Sequence, residues 1–384
     1  MADFIFKISP NIVLGSYTAT RLGQYALEYG SNFLVLMDPV LKESGTASKV
    51  TASLKERNVD YFVFDEIPLG ADSETAKVVL KLAQDAKVHG VIAVGGGKTL
   101  SLARIVCALY YEDSKSIYDY IDENLVPPKK NLPLICLPST NRDNFIFTDR
   151  AFITDARSTK VKLIKTQNGL CKLVIWDPNL QMALTEKQIS CMSIEALSFA
   201  VEGYLSQKST FFSDMIIEKA VQLLSYAEDG APNLSVTTPQ EVLLAQGGCM
   251  ASLGAASSSF GAANLLSLAI NSRYKISRSL ISAILLPYII EDAASFKAEK
   301  LAVLSRLLNA SRPEDSVSSA VASLADYVRQ KIAKINIPAR LKDLSLSIEQ
   351  LSVAAEDAGE LELMNSLQRS MTTDDLFEII KKAY

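Results

Sequence analysis

The spacing of apolar positions changes once along the chain, and that change divides it. Up to about residue 180, short apolar and β-branched runs alternate with amphipathic stretches. Asn32–Met37 (NFLVLM), Tyr61–Phe64 (YFVF), Val91–Val94 (VIAV), Leu132–Leu137 (LPLICL) and Leu173–Trp176 (LVIW) predict strands, and the stretches 19–29, 46–57, 73–88 and 98–111 between them have helical spacing. Such alternation builds βαβ units and a parallel sheet with helices on both faces. After Asp177 the strand signal nearly vanishes. Ala-, Leu- and Ser-rich stretches with helical spacing run through 186–206, 212–226, 238–256, 279–294, 297–308, 313–333 and 347–358. The pattern predicts an α/β nucleotide-binding domain with a parallel sheet over residues 1–177 and an all-α domain over 178–384, with the active-site cleft between them. The boundary is placed at Asp177-Pro178 because a proline restricts the residue before it.

Length and composition agree with that division. A chain of 384 residues, 48% hydrophobic and 21% charged, has enough to bury for two globular domains. Its net charge of −4 and lack of a basic run argue against a nucleic-acid partner. The five cysteines are odd in number and lack short paired spacing, so they read as free thiols in a reducing compartment. The opening MADFIFKISP lacks a charged segment followed by a long apolar one, so no signal peptide is expected. Leu280–Ile290 is apolar but short for a membrane span and reads as a buried core helix. The expected location is cytoplasmic, without a membrane partner. His89 is the only histidine, which excludes a metal site built from several.

The sharpest local signal is Val94-Gly95-Gly96-Gly97-Lys98-Thr99, which follows a predicted strand and opens a predicted helix. Glycines reach backbone geometries closed to other residues and let a phosphate approach the main chain. The helix N-terminus offers that anion free N–H groups and a positive dipole end. A ligand-free strand-to-helix turn would also use glycine, but the strand–glycine–helix context favours the phosphate site. Asp38 ends the first clear strand. A carboxylate there can accept hydrogen bonds from ribose hydroxyls and repels a 2′-phosphate, favouring NAD over NADP; an ordinary turn aspartate before Pro39 would look the same.

These residues carry a resemblance. The chain resembles the iron- and zinc-dependent alcohol dehydrogenase superfamily, which includes glycerol dehydrogenases and is related to dehydroquinate synthases. Gly95-Gly96-Gly97-Lys98-Thr99-Leu100 is similar to the family's glycine loop, although Ser101 follows where an aspartate is usual and Arg104 stands for a lysine. Tyr118-Asp119-Tyr120 and Leu132-Pro133-Leu134-Ile135 resemble the approach to a second nucleotide loop, here Pro138-Ser139-Thr140-Asn141-Arg142-Asp143. Asp177-Pro178-Asn179-Leu180 is similar to the start of the helical domain, and Glu195 through Glu202 lines up with a helix usually reading DALxHAxE. Ile337-Pro338-Ala339-Arg340-Leu341 and Met371-Thr372-Thr373-Asp374-Asp375 resemble C-terminal segments. The resemblance runs in order through nearly the whole chain. It implies the same two-domain fold and NAD(H) held by Asp38, Gly95, Gly96, Gly97, Lys98, Thr99, Ser139 and Thr140. It also implies hydride chemistry on a small alcohol or carbonyl substrate, and a homodimer or higher homo-oligomer.

The departures fall on the metal. The family's ligands are an aspartate and two or three histidines of the helical domain. Their positions here hold Glu195, Phe199, either Asn264 or Gly261, and Arg278. Glu195 is the only remaining candidate ligand, and His89 lies in the other domain. A guanidinium keeps its proton and donates fixed hydrogen bonds to an oxyanion or carboxylate. One reading has Arg278, with Asn264, replace the metal's charge and orient a carbonyl or anionic substrate. Asp143 would then stand near that substrate, and Arg142, Lys162 and Lys165 would add positive charge. The other reading has Glu195 and Arg278 form a salt bridge in a site that has lost its chemistry. Three functions stay open: a metal-independent NAD-linked oxidoreductase, a divalent-metal enzyme with oxygen ligands including Glu195, and a non-catalytic descendant serving as a nucleotide-binding regulator or partner subunit.

Overall fold

The computed structural model describes residues 9–67, 71–230 and 238–384. The chain forms two compact units. The first comprises Met1–Thr140, Phe145–Ala156 and Lys162–Ala183; the second comprises Asn141–Asn144, Arg157–Val161 and Leu184–Tyr384. The strand Cys171–Trp176 ends just before the Asp177-Pro178 step, which leads into a short 3-10 turn.

The first unit runs β1 (Asn11–Leu14), α1 (Leu22–Ala26), β2 (Asn32–Met37), α2 (Pro39–Glu43), α3 (Thr46–Glu56), β3 (Asp60–Phe64), α4 (Ser73–Asp85), β4 (Gly90–Gly95), α5 (Gly97–Leu109), α6 (Ile117–Glu123), β5 (Leu134–Pro138), β6 (Arg150–Thr154), β7 (Val161–Lys165) and β8 (Cys171–Trp176). Six strands form one sheet in the order β1-β8-β5-β4-β2-β3, with every pairing parallel. Strands covered on both faces must be apolar at every position rather than at alternate ones. That is why Phe33 through Met37 are all buried, as are Val91 through Val94 and Leu134 through Leu137. One face of β2, β4, β5 and β8 packs Phe33, Val35, Met37, Ile92, Val94, Ile135, Leu137 and Ile175 against Leu22, Leu41 and Leu54 of the helices.

Strands β6 and β7 form a separate two-stranded sheet, and neither they nor β1 stood out in the apolar pattern. β1 has four residues at the sheet edge, without a fully buried position. The basic residues between Arg157 and Lys165 predict the exposed face of a hairpin. β6 and β7 pair there, Arg157 is exposed and Lys162 and Lys165 are half-buried, while Lys160 lies 3.5 Å from Asp357 and also pairs with Glu360.

The second unit is helical: α7 (Glu186–Leu205), α8 (Phe211–Asp229), α9 (Gln240–Ser257), α10 (Ala262–Tyr274), α11 (Arg278–Leu307), α12 (Val317–Lys334), α13 (Ile348–Gly359) and α14 (Thr373–Ala383). Capping boxes start α7 (Thr185 with Gln188) and α14 (Thr372 with Asp375), each satisfying backbone N–H groups that a helix start leaves open. The stretches 279–294 and 297–308 are two arms of α11, which breaks at Lys297 (φ −135°, ψ 24°). Leu280–Ile290 lies in its first arm, which is mostly buried in the unit core. Helix α10 escaped the sequence pattern because Ala262 through Ser272 are all buried, leaving no polar face to mark the period.

Candidate functional site

The first candidate site forms where the sheet reverses its winding. β2 continues to β3 on one side and β4 continues to β5 on the other, so their carboxyl ends flank the position where open α/β sheets bind ligands. Asp38 follows β2, and its N–H donates to the Val94 carbonyl at 2.9 Å. A Cβ on Gly95 would come within 2.9 Å of the Thr99 side chain and 3.0 Å of Asp38 Cβ, so only glycine keeps these two chain ends together. Gly96 opens α5 in extended geometry without a side-chain cap, leaving the first N–H groups of a 13-residue helix to a ligand. The Ser139 N–H donates to the Gly95 carbonyl at 3.0 Å, and Thr140 stands beside Gly96. Gly97 and the half-buried Lys98 belong to the same first turn. Asp38 also caps α2, accepting the Val40 N–H at 3.3 Å, so its turn role and a ribose contact draw on one carboxylate. Arg104 is buried in α5 and donates to the carbonyls of Phe145 and Thr148; it braces the chain before β6. His89 is exposed, and its Nδ1 accepts the Ser31 N–H at 3.2 Å.

The second unit gathers a site of a different kind. The loop Pro138–Asp143, read as one nucleotide-binding stretch, is divided: Ser139 and Thr140 stay with the sheet, while Asn141–Asn144 joins the helices. Asn141 Nδ2 donates to Ser193 Oγ on α7 at 3.1 Å, and the Asp143 N–H donates to Ser252 Oγ on α9 at 3.0 Å. A Cβ at Gly248 would run into the Asn141 carbonyl, so this glycine permits the close approach. Held there, Arg142 donates to Glu195 Oε2 from both Nε (2.8 Å) and Nη2 (2.6 Å). Ser279 donates to the same oxygen at 2.5 Å and accepts from Arg142 Nη2 at 2.9 Å. Arg278 Nη2 stands 3.6 Å from Glu195 Oε1, an ion pair beyond hydrogen-bond length. Glu195 is 1% exposed, and both arginine side chains are 12% exposed. Burial by itself would raise the Glu195 carboxyl, but Arg142, Arg278 and Ser279 outweigh it and hold the group below the usual carboxylate range. Burial lowers Arg278 from its ordinary value, and Arg142 adds to this against the pull of Glu195 and Asp143.

Two turns further along α7, Glu202 accepts the N–H groups of Ala263 (2.6 Å) and Asn264 (3.2 Å) at the start of α10. Burial pushes its carboxyl up to about 7 despite those donors. A Cβ at Gly261 would collide with that carboxyl group, so position 261 cannot carry a side chain while Glu202 caps the helix. Between the two alternatives for the upstream ligand position, only Asn264 therefore offers a side chain. Asn264 is 1% exposed, and neither its Oδ1 nor its Nδ2 has a hydrogen-bond partner among the described residues. Buried amides are nearly always paired, so this one marks a place where polar chemistry is left to be completed.

Two family models match almost the whole chain: iron-containing alcohol dehydrogenase over residues 9–178, and its C-terminal counterpart over residues 190–384. The chain belongs to the iron-containing alcohol dehydrogenase family. It is 24% identical to long-chain-alcohol dehydrogenase 1 of Geobacillus thermodenitrificans, over 85% of this chain and 82% of that one. A 1,3-propanediol oxidoreductase structure shares the fold with a TM-score of 0.88 at 19% identity, covering 98% of both chains. A sulfoacetaldehyde reductase from Bifidobacterium kashiwanohense, solved with NAD+, gives a TM-score of 0.83 at 18% identity, covering 100% of this chain and 99% of that one.

The iron of the family name has no matching donor set here. At the positions that the resemblance assigns to ligands, Phe199 offers no lone pair, Arg278 is a cation and Glu195 Oε2 already accepts from Arg142 and Ser279, which leaves Asn264 Oδ1 and Glu195 Oε1, the latter facing Arg278, as oxygen donors without any histidine. Among the described residues, no group of three or more His, Cys, Asp or Glu side chains could hold a metal ion. Sequence reasoning placed the replacement charge on Arg278 because that residue stands at a histidine position. It treated Arg142 as an accessory, and did not single out Ser279, Gly248 or the capping role of Glu202. Gly261 and the glycine on α9 were visible as letters, but not as close approaches.

Proposed function

We propose that this chain is an NAD(H)-linked oxidoreductase acting on a small alcohol or carbonyl compound, without a histidine-bound metal. The observation that carries the reading is the convergence of Asp38, Gly95, Gly96, Thr99, Ser139 and Thr140 at the switch point of the parallel sheet. The α5 N-terminus with Gly95–Gly97 would hold the pyrophosphate, and Asp38 would accept from the adenosine ribose. A bound nicotinamide supplies or accepts hydride. In the second unit, Arg278 and Asn264 would donate to the substrate oxygen, with Arg278 able to orient an anionic group, while the Asp143 carboxylate favours the charged form of Arg278. Fixed donors aimed at a developing oxyanion can stabilise it in a buried site without reorganising at the moment of reaction.

Titrating the protein with NADH and NADPH, and then following NADH oxidation with aldehydes, keto acids and phosphorylated ketones, tests the reading. Tighter binding of NADH and turnover lost in Arg278→Leu are expected; a chain that binds no dinucleotide sinks it. One observation favours a second reading, a non-catalytic nucleotide-binding descendant. Glu195 Oε2 is fully engaged by Arg142 and Ser279, as in a site that has been filled. NADH binding with no turnover across the panel would select that alternative.

A further inference from the structure

We infer that Glu202 is a positioning residue: it caps α10 from a neighbouring helix, and that link to α7 sets where the Asn264 amide stands. The inference deepens the proposed function and rests on it only for the contact of Asn264 with substrate. Helix α10 starts without a side-chain cap of its own. Its N-cap is Gly261, and Ala262 through Ser272 are all buried, so protein groups rather than solvent must meet the N–H groups that a helix start leaves open. Glu202 takes the N–H groups of Ala263 and Asn264, one on each carboxylate oxygen. These belong to the second and third residues of the helix, the donors that an N-cap side chain would take.

The remote cap stands in place of a simpler one. Gly261 has φ −106° and ψ −172°, extended backbone that aspartate or serine adopts freely, so its conformation does not call for glycine. The three atoms nearest to a Cβ built there all belong to Glu202. The glycine thus serves the distant carboxylate. What that carboxylate adds, and a local cap would not, is a fixed register between α10 and α7, the helix that carries Glu195 two turns earlier. Asn264 depends on this register. Its amide has no hydrogen-bond partner among the described residues, so its placement follows from its packing and its main chain, and Glu202 holds that main chain.

The test moves the carboxylate within the full-length protein. Glu202→Ala should lower the melting temperature, and Glu202→Ala/Gly261→Asp, which returns a cap to α10 without the link to α7, should recover most of that loss. With an aldehyde that the wild type reduces, kcat of the double variant should stay down about tenfold or more while NADH affinity holds, because small misplacements of a reacting group are costly. Asn264→Ala should lower kcat similarly, and all three changes together should cost no more than Asn264→Ala alone. If the relocated cap restores kcat along with the melting temperature, or if the losses multiply, Glu202 is a cap only and the inference falls. Should the double variant not accumulate or not recover, Glu202→Gln, which keeps the packing and one acceptor, takes its place in the same cycle with Asn264→Ala, and losses that multiply again overturn the inference. If the wild type turns over no substrate, or Asn264→Ala keeps its kcat, the proposed contact with substrate fails by itself, and crystal structures decide. An Asn264 amide displaced in the variant then sustains the positioning role of Glu202, and an unmoved amide overturns it.

Discussion

The two candidate sites differ in what builds them. At the sheet's switch point the working surface is main chain: glycines that admit a close approach, N–H groups at the start of α5, and a strand-end turn. In the helical unit it is side chains drawn from α7, α10, α11 and a four-residue loop, each useful only through its partner. A backbone site tolerates drift in its neighbours, such as Ser101 and Arg104, because its donors do not depend on their identity. A side-chain site changes its chemistry when one letter changes. Here Glu195 and Arg278, at positions that the resemblance assigns to ligands, join Arg142 and Ser279 in an ion-pair network.

The comparison breaks most readily at Arg142. Leaving Glu195 buried without its bidentate partner should cost about 3–5 kcal/mol of unfolding free energy, measured by urea titration. A loss under about 1 kcal/mol would mean Arg278 or solvent neutralises the carboxylate unaided. Glu202 gives the next effect, and its sign is fixed by the raised carboxyl. The folded value of about 7 lies above the ordinary carboxyl value of 4.5, so the native state holds the proton more tightly between them. Stability should fall as pH rises from about 4.5 to about 7, and level off above, by at most about 3 kcal/mol. Glu202→Gln should lose that slope; a variant with the wild-type slope between pH 5 and 7 would assign it to other groups.

The backbone site sharpens the contrast from the other side. In Gly95→Val, the added side chain meets Thr99 and Asp38. NADH affinity should drop at least about tenfold, or about 1.4 kcal/mol, while the ion-pair network around Glu195 is left intact. Calorimetry with NADH reads the first, and the unfolding free energy lost when Arg142→Ala is added to the same background reads the second. Unchanged NADH binding would move the dinucleotide away from this strand end.

How much of this was legible follows the same division. The parallel sheet showed itself because doubly covered strands are apolar at every position, as in β2 and β4, and the helices because most keep one polar face. The glycine loop was legible because its residues are contiguous. Arg142 and Glu195 are 53 residues apart, and no local pattern announces that a loop will be pinned to α9 by Gly248. Helix α10 was hidden by burial on all sides, and with it the reason Glu202 and Gly261 must occur together. The resemblance supplied the family's ligand positions, Glu195 among them, but not the loop arginine that Glu195 meets.

The smallest effect separates two roles of one carboxylate. Asp38 caps α2 through the Val40 N–H, which any turn aspartate would do, and the proposed function gives it a ribose contact as well. Asparagine caps a helix about as well as aspartate, whereas alanine costs about 1 kcal/mol. Asp38→Asn should therefore keep the stability of the wild type while narrowing the preference for NADH over NADPH, because the charge that repels a 2′-phosphate is gone. Asp38→Ala should narrow it equally and lose the cap. If Asp38→Asn discriminates between the two dinucleotides as the wild type does, the carboxylate is only a cap, and the selectivity of the switch point must come from its backbone.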